Sequence, residues 1–132
     1  MISLFYASLL ALLFMVLSWR VVVLRRKFQV GVGTGGHQPL ELAVRAHANF
    51  AEYVPLGLVM LLVLELGAGA PDWLLHVLGG MLLAGRVLHG LVGLNLGAGA
   101  SPGRFYGTLL TWLMLLASAV TGLIIATGWL AH

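Results

Sequence analysis

Between Glu41 and Pro55 the chain reads ELAVRAHANFAEYVP, and within it Glu41, Arg45, Asn49 and Glu52 recur at spacings of four, four and three. At about 100° per residue these side chains share one stripe of a helix. Arginines suit carboxylates, a glutamate suits an ammonium group, and Asn49 with Tyr53 suits peptide groups, so the set fits a small ligand carrying several charges. Further along, Arg86 and His89 form a second polar group. Arg104 follows Ser101 and Pro102, which read as the cap and first residue of a helix. A guanidinium beside free N–H groups at the positive end of a helix dipole is a place that lowers the pKa of a thiol and holds the thiolate.

The elements that must position these residues are membrane helices. The chain has 132 residues, 61% of them hydrophobic and 8% charged, and a mean hydropathy of +1.04. That is too apolar for a soluble domain of this size. The length divides into four spans of roughly 20 to 25 residues with short loops. The expected fold is therefore an all-α membrane protein, a single four-helix transmembrane domain over residues 1–132.

The first apolar run, Met1 to Val23, is followed by Arg25, Arg26 and Lys27. Its charge lies after the run and no small-residue cleavage site follows, so it reads as a retained span and not a signal peptide. GVGTGG, residues 31–36, is the first loop. It lacks the following lysine and the flanking strand of a phosphate-cradling loop. The second helix is expected from Pro39 to Leu66, about 42 Å at 1.5 Å per residue, longer than a hydrocarbon core of about 30 Å. The third spans Trp73 to Leu96, and the fourth runs from the Ser101–Pro102 start to Trp129.

Counting about 20 residues back from Leu66 sets Arg45 at the membrane boundary, Asn49 a turn inside and Glu52 roughly 10 Å deep. Pro55 removes the donor to the Ala51 carbonyl and predicts a bend just beyond Glu52. A charge near mid-membrane costs about 2.5–3.5 kcal/mol. Glu52 and Arg86, at similar depth, are therefore expected to meet across the second and third helices, as an ion pair or as the lining of a polar cavity.

All seven basic residues lie at or near the loops after the first and third helices, whereas the loop after the second has only Asp72. This predicts cytoplasmic placement of both basic loops and of the polar cluster, with both termini outside and Trp73, Trp129 and Tyr6 as outer interface anchors. The basic residues form no solvated face for nucleic acid. With no cysteine in the chain, any thiol must come from the substrate. No metal site is expected, because the deep candidates, His89 and Glu52, have arginines beside them. His47 lies about 200° around the helix from Arg45, a position open to ligand contact or to an inter-subunit role. His37 and His132 read as solvated and His76 as an interface residue.

RAHANFAEYVPL, GRVLH and SPGRFYGTL, in this order and spacing, resemble the MAPEG family, the membrane-associated proteins of eicosanoid and glutathione metabolism. The likeness covers Glu41 to Ala126. It implies a homotrimer of four-helix subunits with glutathione sites between subunits on the cytoplasmic side. It implies glutathione contacts from Arg45, His47, Asn49, Glu52, Tyr53, Arg86 and His89, and stabilisation of the thiolate by Arg104. GRVLH resembles the prostaglandin E synthase branch, yet Gly93 stands where the eicosanoid enzymes carry a tyrosine, and Phe105 where the prostaglandin branch has serine. Prostaglandin and leukotriene synthesis are therefore not carried over. The resemblance implies a bacterial inner-membrane transferase or peroxidase of the detoxification type, acting on small hydrophobic electrophiles dissolved in the bilayer. The alternative is a small four-helix transporter or a non-catalytic ligand-binding membrane protein. A drug–proton antiporter of this size would want an acid in its first span, and this one has none.

Overall fold

The computed structural model describes residues 1–92 and 101–130, excluding the side chains of residues 92, 129 and 130. Four α-helices follow one another: α1 (Ile2–Phe28), α2 (Gln38–Leu66), α3 (Asp72–Val87) and α4 (Pro102–Leu130). A π-helical turn, Leu88–Val92, continues α3. All four helices are long and apolar enough to cross a membrane. No strand occurs among the described residues.

Local sequence explains most of the boundaries. Pro39 sits in the first turn of α2, where its missing N–H costs nothing. Pro71 precedes α3, and Asp72 places an acid at the positive end of its dipole. α1 does not stop at Val23 but carries Arg25, Arg26 and Lys27 in its last turn and ends at Gln29, which adopts the left-handed conformation at φ 56°. A membrane boundary ends the apolar residues of a helix and not its hydrogen bonds, so the basic triplet continues the helix. Pro55 lies inside α2, whose helical assignment runs unbroken across it.

Contacts set the directions of the helices. The first turn of α1 meets the last turn of α2 through Glu65, which accepts the N–H groups of Ile2 at 2.6 Å and Ser3 at 2.8 Å, and the Ser3 hydroxyl. Those N–H groups have no partner within α1 itself, so an acid from another helix caps it. Tyr6 of α1 donates its hydroxyl to the carbonyl of His76 near the start of α3, at 3.1 Å. α1 and α3 therefore run parallel, with α2 antiparallel to both. Tyr6 is buried and lies against Gly79, so it is a core residue and not the outer anchor the sequence suggests. Trp73 is exposed at the start of α3.

Leu10 and Leu17 of α1, Leu61 and Leu64 of α2, Leu75, Leu78 and Leu82 of α3, and Met114 of α4 form the core. Every closely packed helix pair involves α2 or α3. The tightest approach is between α3 and α4. A Cβ on Gly107 would lie 2.5 Å from the Gly85 carbonyl oxygen and 2.7 Å from the His89 nitrogen. Small residues allow such contact where lipid supplies no hydrophobic drive.

Candidate functional site

The candidate cluster is built where α2, α3, the π-turn and α4 meet, and Arg86 is its centre. The side chain is 1% exposed. Its Nη1 donates to Asn49 Oδ1 on α2 at 2.6 Å, and its Nη2 donates to Thr111 Oγ1 on α4 at 2.7 Å and to the Gly107 carbonyl at 3.2 Å. The Tyr53 ring lies 5.4 Å from the guanidinium carbon, within the range of a cation–π contact. Arg86 Nε is buried without a partner among the described residues. One guanidinium thus ties three helices together while its Nε–H has no acceptor among the described residues.

Arg86 does not meet Glu52. Equal depth along two helices is not equal azimuth around them. Relative to Asn49, Tyr53 lies about 40° round toward the buried side of α2, while Glu52 lies about 60° round the other way. Glu52 is accordingly exposed, as is Arg45 on the same side. Glu52 takes no hydrogen bond or ion pair among the described residues. The polar stripe of α2 is divided: Asn49 and Tyr53 turn into the bundle, and Arg45 and Glu52 face out of it.

His47 turns elsewhere. Its Nε2 lies 2.9 Å from the Ser18 hydroxyl of α1, and its ring lies 4.8 Å from that of Phe14. It is part of the α1–α2 contact, on a different side from Asn49. His89 occupies the π-turn, half-buried, with its backbone against Gly107. π-turns inside α-helices accompany functional sites, and the sequence, with helical periodicity expected on to Leu96, held no signal of this one beyond its glycines. Gly93 lies outside the described residues.

Arg104 is in the first turn of α4 and half-buried. The Ser101 carbonyl accepts the Phe105 N–H at 3.1 Å, which opens the helix there. The Ser101 hydroxyl is buried without a hydrogen bond among the described residues, so it does not act as the side-chain cap expected from its position. Arg104, Phe105, Thr108, Leu109 and Trp112 line a shallow groove of about 340 Å³ on α4. At its far end Trp112 Nε1 donates to the Tyr53 hydroxyl at 3.1 Å. This bond joins the groove to the polar residues of α2, and nothing in the sequence around Trp112 marks it. Among the described residues, no group of three or more His, Asp or Glu side chains could hold a metal ion.

Four spans, a buried arginine that bonds from α3 to both α2 and α4, and a groove along α4 define an integral membrane protein with a polar centre inside its helix bundle. The profile of the MAPEG family matches residues 3–124, and the chain belongs to that family. It is 45% identical over 89 residues to the inner membrane protein YecN of Escherichia coli K12, covering 67% of each chain. It matches YecN of E. coli O6:H1 strain CFT073 to the same extent. No solved structure matches it significantly.

Proposed function

We propose that this protein is a membrane-embedded, glutathione-dependent transferase with peroxidase capacity, joining the glutathione thiolate to small hydrophobic electrophiles. The observation that carries the reading is Arg86: a charged side chain held by Asn49, Thr111 and Gly107 at the meeting of three helices, with one buried N–H unspent. A purely structural residue at this depth would be cheaper as a hydrocarbon. Membership of a family that includes glutathione transferases supports the same reading.

In this scheme Asn49, Tyr53, Arg86 and His89 bind the peptide from inside the bundle. Arg45 and Glu52 take its charged ends from the outer face of α2, and His47 supports α2 against α1. Arg104, with the free N–H groups at the start of α4, holds the sulfur as thiolate once its proton has passed to water. The thiolate attacks the electrophilic carbon. A C–S bond forms, and the leaving group departs with its electron pair. With a hydroperoxide, two glutathione thiols are oxidised to one disulfide while the peroxide is reduced to an alcohol and water. The groove beside Arg104 would hold the second substrate, which reaches it from the bilayer.

Glu52 is charged, exposed and at membrane depth, a costly arrangement against lipid, and Arg45 is exposed on the same side nearer the boundary. This supports assembly into a homotrimer in which a neighbouring copy covers them. The relatives' designation as inner membrane proteins supports the same location here. The distribution of basic residues supports cytoplasmic facing of the site and outward termini.

The test is purified protein in detergent, supplied with glutathione and a chromogenic electrophile or a lipid hydroperoxide. Turnover, together with calorimetric heat on glutathione binding, is the expected result. Neither turnover nor heat, from protein that is folded by circular dichroism, would overturn the proposal and return the ligand-binding or transport reading.

A further inference from the structure

α4 turns a narrow face into the bundle. Gly107, Thr111, Met114 and Ser118 follow at spacings of four, three and four, and all of them are buried. Thr111 and Ser118 are 0% exposed, and each hydroxyl donates to the carbonyl four residues back, Thr111 to Gly107 at 3.0 Å and Ser118 to Met114 at 2.8 Å. A bond of this kind within one helix satisfies a hydroxyl in apolar surroundings without help from a neighbour. Ser8 and Thr127 do the same on exposed faces. Of these hydroxyls, Thr111 alone also accepts a bond from another helix among the described residues, from Arg86 Nη2 at 2.7 Å.

The direction of the second bond is set by the first. A hydroxyl has one hydrogen and two lone pairs. With its hydrogen committed to the Gly107 carbonyl, Thr111 Oγ1 turns a lone pair to Arg86. Nη2 donates to both oxygens, at 2.7 Å to the hydroxyl and 3.2 Å to the carbonyl, so the three groups close a triangle. Room for it comes from Gly85, where a Cβ would lie 2.8 Å from the Gly107 carbonyl oxygen and 2.8 Å from Thr111 Oγ1. On the opposite side Nη1 is held by Asn49 of α2 at 2.6 Å. A guanidinium is planar, so holds on both of its terminal nitrogens fix the plane and with it the direction of the buried Nε–H. Thr111 itself lies too deep to meet a ligand.

We infer that Thr111 is a positioning residue: it holds the Arg86 guanidinium to α4 in the orientation that serves the ligand, and so sets the affinity for glutathione without touching it. The inference rests on the function proposed above. Without the hydroxyl, Nη2 keeps only the longer bond to the Gly107 carbonyl. Valine has the branching of threonine but no lone pair, so Thr111→Val isolates the hydroxyl.

The experiment uses the full chain in detergent, below the unfolding temperature of every variant, with glutathione and the chromogenic electrophile. Thr111→Val should raise KM for glutathione about tenfold, the loss of one hydrogen bond to a charged group, with kcat nearly constant. Thr111→Ser restores the hydroxyl and should return KM to near the native value. Ser118→Ala removes the same kind of bond further along the same face, where no guanidinium is held, and should leave both constants unchanged. In protein labelled at its arginine nitrogens, the Nη resonances of Arg86, assigned by their absence in Arg86→Lys, should be distinct in the native protein and merge in Thr111→Val. A merely structural hydroxyl would lower the unfolding temperature of Thr111→Val but leave KM and the resonances as they are, and that result would overturn the inference. So would a raised KM that Thr111→Ser does not recover, which would assign the effect to packing. Native protein that neither binds nor turns over glutathione would overturn the proposed function and this role with it, whereas native turnover with an unaltered Thr111→Val would overturn this role alone.

Discussion

Arg86 on α3 donates to the side-chain oxygen of Asn49 on α2 at 2.6 Å, and this bond decides which part of the polar stripe of α2 belongs to the interior. The neutral amide and the charged guanidinium satisfy each other where an acid was expected. Nη2 is satisfied by a hydroxyl and a carbonyl of α4 while Nε has no partner among the described residues, and a positive charge with no carboxylate beside it attracts an anionic ligand more strongly than an ion pair would.

Replacing Arg86 separates its structural role from its charge. Arg86→Ala removes three hydrogen bonds made by a charged group and opens a void, a loss of about 2–4 kcal/mol. Arg86→Lys keeps the charge but lacks the planar fork that reaches α2 and α4 together. Both variants should unfold at lower temperature in detergent. Arg86→Met, which restores volume without charge, should recover much of the stability but not glutathione binding by calorimetry. Binding retained in Arg86→Met would remove Arg86 from the ligand site.

The packing of α3 on α4 gives a second expectation. Gly107→Ala would place a methyl 2.5 Å from the Gly85 carbonyl and 2.7 Å from the His89 nitrogen, both backbone atoms that cannot yield. Overpacking of this kind costs about 1–3 kcal/mol. Gly128→Ala, with nothing within 4 Å of the added atom, should be neutral or slightly stabilising. Thermal unfolding of the two variants side by side measures the difference, and a neutral Gly107→Ala would contradict the close approach.

Hydropathy made the four helices legible, because an apolar run long enough to span the bilayer has one conformation that satisfies its backbone. The proline and acid signals placed the starts of α2 and α3 within a residue. The polar centre was legible only in part. Counting residues gave depth, which put Glu52 level with Arg86, but a partner is chosen by azimuth, and there Asn49 and Tyr53 turn inward while Glu52 turns out. The π-turn at His89 escaped because it lies where Gly107 of α4 approaches the backbone of α3, a tertiary contact that hydropathy does not reveal. Tyr6 resembled an interface anchor by its position near the end of a span. Gly79 and the carbonyl of His76 on a distant helix draw it into the core.

The cap that α2 supplies to α1 can be tested directly. Glu65→Ala deprives the Ile2 and Ser3 amides and the Ser3 hydroxyl of their acceptor. Hydrogen exchange in the first turn of α1 should accelerate, while exchange around Arg86 stays unchanged. Unaltered exchange at Ile2 and Ser3 would show that the carboxylate does not hold that turn.

Trp112 bridges the groove of α4 and the inward part of the α2 stripe, so it should affect one kinetic constant more than another. Trp112→Phe keeps an aromatic ring in the groove but removes the N–H that holds the Tyr53 hydroxyl at 3.1 Å. A hydrogen bond of this kind contributes about 1 kcal/mol. If Tyr53 binds glutathione as proposed, KM for glutathione should rise about fivefold with kcat nearly constant, the pattern of a lost ground-state contact. A fall in kcat alone would place Trp112 in the chemical step instead.

Arg104 should show the opposite pattern. Its place in the first turn of α4 sets its charge beside the free N–H groups of that helix, where a thiolate is stabilised and a neutral thiol gains little. Arg104→Ala should therefore lower kcat on the order of 100-fold, as loss of one group aimed at developing charge does elsewhere, with glutathione affinity by calorimetry nearly unchanged. Arg104→Lys keeps a cation at the helix start and should recover part of the rate. The thiolate absorbance near 240 nm provides a readout independent of turnover: it should appear when glutathione binds the native protein and be lost in Arg104→Ala. Thiolate formation undiminished in that variant would assign the sulfur to another group, and His89 in the π-turn, half-buried against Gly107, would be the next residue to replace.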